Sequence, residues 1–203
     1  MPYSVKHRTQ FYVVFFTGLL SLLLTACSNL FVPKEMPELP LLPPHEFGKN
    51  IQISQRVSII SDESSNTLLA AWVVSEEAVS VVGLSPTGQR LLTLEYDGEF
   101  FKEEYSELLD QEIPGRAVMS YMQLAHWPEQ SILDAFVDSD WAINFLSNQR
   151  VLYYKNRHVL DINIKEEITQ SFEGVGKKIN IISYVMPIVL DVETLSVISS
   201  EVH

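Results

Sequence analysis

The chain has 203 residues and a formal net charge of −12, from 14 basic and 26 acidic side chains. This length suits one domain with a substantial core and is short for two. A hydrophobic content of 46% excludes a largely disordered chain, and the acidic balance argues against a broad nucleic-acid surface. The single cysteine excludes an internal disulfide and any metal site built from several cysteines.

The first 26 residues have the pattern of a secretory signal. Lys6 and Arg8 precede an apolar run over residues 11–24, which is short of the roughly 20 residues that a spanning helix needs. The run ends in Leu24-Thr25-Ala26-Cys27, which resembles the lipobox of bacterial lipoproteins. The resemblance implies cleavage before Cys27 and covalent acyl chains, such as palmitate, on that cysteine, which then anchor the protein to a membrane. Ser28 implies, by analogy, sorting to the outer membrane with the domain on the periplasmic face; an ordinary signal peptide is the alternative.

Residues 27–50 are predicted to be the lipidated cysteine and a tether, because five of the ten prolines lie between positions 28 and 50. Proline lacks a backbone donor and stiffens the chain toward extended polyproline geometry. Packing of residues 40–50 along the domain is the open alternative. The folded domain is predicted to span residues 51–203.

Beyond residue 50 the dominant hydrophobic period is two, which indicates strands with one face on a core. Asp97-Gly98 between two such runs is a strong hairpin signal. The predicted strands cover residues 51–60, 67–75, 78–84, 91–96, 99–105, 150–154, 158–165, 168–173, 178–186 and 190–193.

Helical spacing interrupts this pattern in the middle of the chain. Residues 116–126 and 131–137 each place their apolar side chains on one helical stripe, and Pro128 separates the two. Residues 142–145 are predicted as a third short helical turn. The sequence therefore predicts a mainly β fold in which a curved antiparallel sheet, or half-open β-barrel, covers two or three helices.

Three motifs resemble those of a family of uncharacterised bacterial lipoproteins. They are Gly88-Gln89-Arg90, Tyr96-Asp97-Gly98 and Gln123-Leu124-Ala125-His126-Trp127-Pro128. Members of that family often lie beside aryl-polyene or fatty-acid-type biosynthetic genes. The family is distantly similar to LolB, the outer-membrane lipoprotein receptor of the Lol pathway, over roughly residues 50–200.

The resemblance to LolB implies a half-open barrel over helices with an apolar cavity for acyl chains. Inward strand residues and helix residues would line such a groove, and methionine adapts well to irregular apolar ligands. The same side chains could instead fill a closed core. The candidates are Leu69, Trp72, Val81, Leu92, Leu94, Met119, Met122, Leu133, Phe136, Ile162, Ile181 and Tyr184.

The turn that would insert into the membrane departs from the LolB pattern. Where the receptor has a protruding leucine, the turn Ser85-Pro86-Thr87-Gly88 has Thr87, which offers far less apolar surface. This departure argues against insertion of lipoproteins and favours another amphiphile. Arg90 and Arg150 are candidate contacts for an anionic head group, although surface ion pairs are an alternative use of both.

Two further groups of residues could carry chemistry, and the sequence favours a structural reading of each. His126 lies beside Trp127 without a nucleophile or carboxylate at a recognisable spacing, which is typical of a helix end rather than a catalytic centre. Asp138-Ser139-Asp140 lacks the remainder of a calcium loop and is predicted to be an exposed turn.

The sequence thus predicts a non-catalytic lipoprotein that binds or passes on a lipid-like molecule of acyl or aryl-polyene type. It predicts no metal and no cofactor besides the acyl chains on Cys27. The expected partners are the outer membrane, the lipid-like cargo and a periplasmic carrier protein, with no nucleic acid. The alternatives are an assembly or scaffold lipoprotein with a filled core and a hydrolase of lipid or glycan.

Overall fold

In the computed structural model of the protein, buried and exposed residues alternate along the strands. The structure describes residues 38–61, 64–109, 113–167 and 176–200. In the first long strand, Ile51, Ile53, Gln55 and Val57 are buried, while the residues between them are exposed. The predicted strand over residues 168–173, the signal segment and Cys27 lie outside the described residues.

The described residues form ten strands in two groups of five with two helices between them. The first group is β1 Asn50–Ser61, β2 Ser65–Val74, β3 Val79–Leu84, β4 Arg90–Tyr96 and β5 Phe101–Tyr105. The helices are α1 Gly115–His126 and α2 Glu129–Ala135. The second group is β6 Trp141–Leu146, β7 Gln149–Tyr154, β8 Arg157–Glu167, β9 Gly176–Ser183 and β10 Ile188–Ser200.

All ten strands belong to one open, curved antiparallel sheet. Their order is β5-β4-β3-β2-β1-β10-β9-β8-β7-β6. Consecutive strands within each group of five are therefore hydrogen-bonded, and β1 pairs with β10 in the middle of the sheet. The chain between β5 and β6 must therefore cross from one edge of the sheet to the other. α1 lies in this crossing, against the face of the sheet that carries Val57 and Leu94, which we call the inner face. The predicted fold class is confirmed.

A bulge interrupts the central pairing of β1 with β10. Ser54 lies opposite Ser196, whereas Gln55 lies opposite Thr194, so Leu195 is the extra residue. Such a bulge bends the strand and increases its twist locally. It lies beside Gln55, the one glutamine that β1 turns to the inner face.

α1 is buried on both sides because a second layer covers it. Residues 39–47, called the strap, run across the side of α1 that faces away from the sheet. Gln123 is fully buried in α1; its Oε1 accepts a hydrogen bond from the Leu42 amide at 2.9 Å, and its Nε2 donates to the Leu42 carbonyl at 2.8 Å. Trp127 Nε1 donates to the Pro43 carbonyl at 3.3 Å, and its ring contacts Phe47 with centroids 4.7 Å apart.

The second half of the proline-rich segment therefore packs on the domain, and the compact unit that contains the sheet begins at Leu39. Pro44–Phe47 forms a 3₁₀ turn that ends at Gly48, whose φ of 80° suits glycine. Leu39, Leu41 and Leu42 are buried. The alternative in which residues of the predicted tether lie along the domain thus holds for the described residues.

The predicted third helical turn is wrong, because residues 142–145 lie within β6. Trp141 and Ile143 are buried there, while Ala142 and Asn144 are exposed, which is a period of two. A four-residue window is too short to separate that period from the helical one. The positions of α1 and α2 agree with the helical stripes of the sequence.

Candidate functional site

An apolar cavity lies between α1 and the inner face of the sheet. Its lining residues are all apolar or aromatic, and the indole N–H of Trp72 is their one polar side-chain group. They come from the five adjacent strands β4, β3, β2, β1 and β10, from residue 113 and from α1. The lining residues are Val57, Ile59, Leu68, Ala70, Trp72, Val81, Gly83, Leu92, Leu94, Ile113, Val118, Met122 and Leu190. Two other cavities of the described residues, one across β8, β9, β10 and β1 and one beside β4 and β5, have charged and polar residues in their linings.

The cavity is small in this conformation, with a volume of about 30 Å³. This space would hold a water molecule or two, whereas sites for drug-sized ligands commonly measure roughly 300–1,000 Å³. Leu92 occupies part of the space, and it can do so because its neighbour across the strand pair is Gly83. A Cβ atom on Gly83 would lie 2.8 Å from Leu92 Cγ. The conformation described is thus a closed one, and an acyl chain would have to displace side chains or α1.

Five of the twelve predicted groove residues line this cavity: Trp72, Val81, Leu92, Leu94 and Met122. Another four are buried outside it: Met119, Phe136, Ile162 and Ile181. Ile162 and Ile181 pair across β8 and β9, under the second half of the sheet.

The remaining three predicted groove residues do not point into the core. Leu69 alternates with the buried pair Leu68 and Ala70 and therefore lies on the outer face, so the prediction was one residue out of register. Leu133 is 43% exposed on α2. Tyr184 is 51% exposed, and its hydroxyl donates to Asp161 at 2.9 Å.

The prediction missed the other eight lining residues, which are Val57, Ile59, Leu68, Ala70, Gly83, Ile113, Val118 and Leu190. Ala70 and Gly83 are small and carry no hydrophobic signal of their own. Each lies two positions from a predicted groove residue on the same strand, Trp72 and Val81, so the alternation of side chains places them on the same face.

The two arginines proposed for head-group contact have different surroundings. Arg90 is exposed at the start of β4, beside Glu104 and Tyr105. Arg150 is half-buried, and its guanidinium donates to the carbonyls of Leu124 and Trp127, where α1 ends. Arg150 therefore satisfies carbonyl groups that the helix itself leaves unpaired, and burial lowers the pKa of its side chain.

The turn that matches the membrane-insertion loop joins β3 to β4. Pro86, Thr87 and Gly88 are exposed, and Gly88 has a φ of 84°. Thr87 does not protrude freely, because its hydroxyl lies 2.8 Å from the hydroxyl of Ser85. The Ser85 carbonyl also accepts a hydrogen bond from the Gly88 amide at 2.9 Å, which closes the turn.

A polar cluster adjoins the apolar cavity on the inner face. It consists of Gln55 of β1, His126 at the end of α1 and Thr194 of β10, and we call it the polar end. Gln55 Nε2 lies 3.3 Å from His126 Nε2 and 3.4 Å from Thr194 Oγ1. Burial, together with the positive charges of Lys177 and Arg150, lowers the pKa of His126 to about 4. His126 is therefore neutral at pH 7 and can accept a hydrogen bond from the Gln55 amide.

The hydrogen bond that the structure gives to His126 goes to an amide. Within the described ranges, no three His, Cys, Asp or Glu side chains cluster as metal ligands would. No helix of those ranges is long and apolar enough to cross a membrane.

A polar furrow of about 310 Å³ lies on the outer face across β8, β9, β10 and β1. Arg56 forms an ion pair with Glu193 at 2.5 Å, and Asn180 donates to Asp191 at 2.6 Å. The pairs are exposed, and such pairs contribute little stability. The furrow is a solvated face of the sheet, in which Arg56 and Glu193 pair with each other.

These features define a mainly β protein with an apolar cavity closed by an inserted helix. The chain belongs to the family described as "Protein of unknown function (DUF3261)", whose model matches residues 52–196. No curated protein matches the chain.

Among solved structures, the chain is similar to a LolA superfamily protein from Nitrosomonas europaea. The TM-score is 0.44 and the sequence identity 7%, over 79% of this chain and 91% of that one. At this identity the likeness concerns the fold alone.

Proposed function

We propose that this protein is a lipoprotein anchored through Cys27 to the periplasmic face of the outer membrane. In this proposal it binds or transfers a lipid-like amphiphile of acyl or aryl-polyene type and catalyses no reaction. The apolar cavity under β1–β4 carries the proposal, because its lining residues are apolar or aromatic and come from both the sheet and α1. The lipobox-like residues 24–27 supply the expected anchor.

The energetic basis of binding would be the transfer of apolar ligand surface out of water, which is worth about 25 cal/mol per Å². The cavity is closed in this structure, so the free energy gained on binding must exceed the cost of displacing Leu92 or α1. Met122 is suited to this change, since its unbranched thioether side chain adopts several shapes at small cost. A periplasmic carrier protein would deliver or accept the cargo, and the anchor would hold the domain near the acceptor membrane.

A pair of adjacent alanines in β2 allows a matched test. Ala70 lines the cavity, whereas Ala71 is exposed on the outer face. The protein tested is the chain of residues 27–203 with Cys27→Ser, which contains the whole compact unit from Leu39 onward. The probe is cis-parinaryl alcohol, an uncharged chain with a conjugated polyene whose fluorescence rises in apolar surroundings.

We expect the probe to bind saturably to the protein without a further substitution. We expect its affinity to be at least tenfold lower in Ala70→Leu and unchanged in Ala71→Leu. Added methylenes in a packed region cost about 1–3 kcal/mol, which is why the cavity would resist the ligand. Thermal unfolding of both variants checks that they fold. Absence of saturable binding, or equal binding by both variants, would contradict the proposal.

A scaffold lipoprotein with a filled core is the second candidate, and the closed cavity of about 30 Å³ favours it. This candidate predicts no binding of cis-parinaryl alcohol and a stable protein partner.

A further inference from the structure

Two buried polar atoms on the inner face have no hydrogen-bond partner in the described structure. One is Oε1 of Gln55, a residue that is 1% exposed, and the other is Nε1 of Trp72, which is 5% exposed. The first is an acceptor and the second a donor. A buried polar atom without a partner costs about 1–3 kcal/mol, so both positions are unusual in a folded protein.

The pairing of β1 with β2 makes these two residues neighbours. Ile53 lies opposite Trp72 and Gln55 opposite Ala70, so Gln55 and Trp72 occupy diagonal positions on the same face. Diagonal neighbours in an antiparallel pair are about 7–8 Å apart, within the reach of two long side chains. A residue with an unpaired acceptor and a residue with an unpaired donor therefore lie on the same face of adjacent strands.

Both residues belong to the face of the sheet that lines the apolar cavity. Trp72 and Ala70 belong to the cavity lining, and Gln55 precedes the lining residue Val57 by two positions on the same face, about 7 Å along the strand. On the helix, His126 follows the lining residue Met122 by one turn. An amphiphile whose chain filled the cavity would place its polar end beside these groups.

The two unpaired atoms, one acceptor and one donor, favour some head groups of a ligand over others. A carboxylate only accepts hydrogen bonds and would leave Gln55 Oε1 unpaired. An ammonium only donates, would leave Trp72 Nε1 unpaired, and would meet the positive field that Lys177 and Arg150 exert at His126. A hydroxyl group both donates and accepts, so one hydroxyl can satisfy both atoms.

We propose that Gln55 and Trp72 form a binding site for the hydroxyl group of an uncharged amphiphile whose chain occupies the apolar cavity. Gln55 Oε1 accepts the hydroxyl proton, and Trp72 Nε1 donates to the hydroxyl oxygen. The inference rests on the proposed function, and it adds the class of head group that the cavity accepts.

The test uses two probes that differ in one hydrogen-bond donor, 1-decanol and decyl methyl ether. Each is titrated by calorimetry into the chain of residues 27–203 with Cys27→Ser. We expect the cavity to bind 1-decanol about tenfold more tightly than the ether, the effect of one hydrogen bond to a buried acceptor. In Gln55→Met, which keeps the length of the side chain, the preference is expected to fall below twofold.

Gln52→Met is the matched control, because Gln52 lies on the same strand but is exposed on the outer face; it is expected to keep the preference. Trp72→Phe provides a second variant, which removes the donor and keeps an aromatic ring, and it is expected to weaken the preference. Thermal unfolding shows which variants are folded.

Equal affinity of the unsubstituted chain for both probes would overturn the inference and leave the proposed function intact, whichever variants fold. A preference that persists in folded Gln55→Met would overturn it as well. Binding of neither probe would overturn the inference and count against the proposed function.

Discussion

The ring of His126 couples the polar end of the cavity to the stability of the fold. Its pKa of about 4 lies below the ordinary value of about 6.5, because burial and the charges of Lys177 and Arg150 oppose protonation. The unfolded chain therefore binds this proton at a higher pH than the folded chain. It follows that the contribution of His126 to stability is fully present above pH 6.5 and is lost as the pH falls toward 4.

We predict that His126→Gln reduces the loss of stability between pH 7 and pH 4. Each pH unit between the two pKa values is worth about 1.4 kcal/mol, so the reduction is expected to be about 2–3 kcal/mol. Urea unfolding at both pH values measures it. His45→Gln serves as the control, because His45 is exposed. An identical pH dependence in the unsubstituted chain and His126→Gln would show that the ring is not held neutral by the fold.

Cys27 is the residue on which the proposed location depends. We predict that cells fed radiolabelled palmitate incorporate label into the unsubstituted protein and that Cys27→Ala incorporates none, because the chain has no other cysteine. The unsubstituted protein is expected in the outer-membrane fraction and Cys27→Ala outside it. Label on Cys27→Ala, or none on either protein, would refute lipidation at this position.

At the scale of elements, the strap and α1 form one unit. Met119, Met122 and Leu124 of α1 are buried, while Gln123 and Trp127 bond to the strap. Without the strap, the amide of Gln123 would exchange both backbone partners for water. Each intramolecular hydrogen bond lost in this way contributes about 0.5–1.5 kcal/mol to stability.

We predict that a chain beginning at residue 50 is much less stable than one beginning at residue 38. Loss of the strap exposes Trp127 and the outer side of α1 and removes the buried leucines 39, 41 and 42. The expected result is aggregation, or a thermal unfolding midpoint at least 10 °C lower by circular dichroism. Equal midpoints for the two chains would mean that the strap is only a passive covering.

The sequence predicted most elements because their patterns are long. β1, β4 and β8 alternate over many residues, and the Asp97-Gly98 turn has the expected geometry, with Gly98 at a φ of 97°. Residues 142–145 were misassigned because four residues do not establish a period. The strap could not be predicted with certainty, since prolines suit both an extended tether and an extended segment packed on a domain.

The polar end was beyond sequence reasoning for a different reason. Gln55 interrupts an apolar face, but a lone glutamine in a strand gives no indication of its partners. His126 and Thr194 lie 71 and 139 residues from it in the chain. Only the pairing of the first with the last strand, and the passage of α1 beneath them, brings the three together.

At the scale of the whole molecule, the sheet is one continuous surface with two differently used halves. β1–β4 line the cavity with α1, whereas β6–β9 pack their apolar residues outside it. Because β1 pairs with β10 at the centre, the chain must cross the sheet between the edge strands β5 and β6. α1 lies in this crossing and closes the cavity. A ligand-binding state therefore requires movement of α1 or of the side chains beneath it, and the cost of that movement sets the affinity.

The most direct test of the account is the identity of what the protein carries. The chain of residues 27–203 with Cys27→Ser would be purified from the periplasm without detergent and examined by native mass spectrometry, followed by analysis of the extracted ligand. The account predicts one bound lipid-like molecule per protein, lost in Ala70→Leu and retained in Ala71→Leu. A protein of unliganded mass, unchanged after incubation with membrane extract, would contradict the carrier function and favour a scaffold with a filled core.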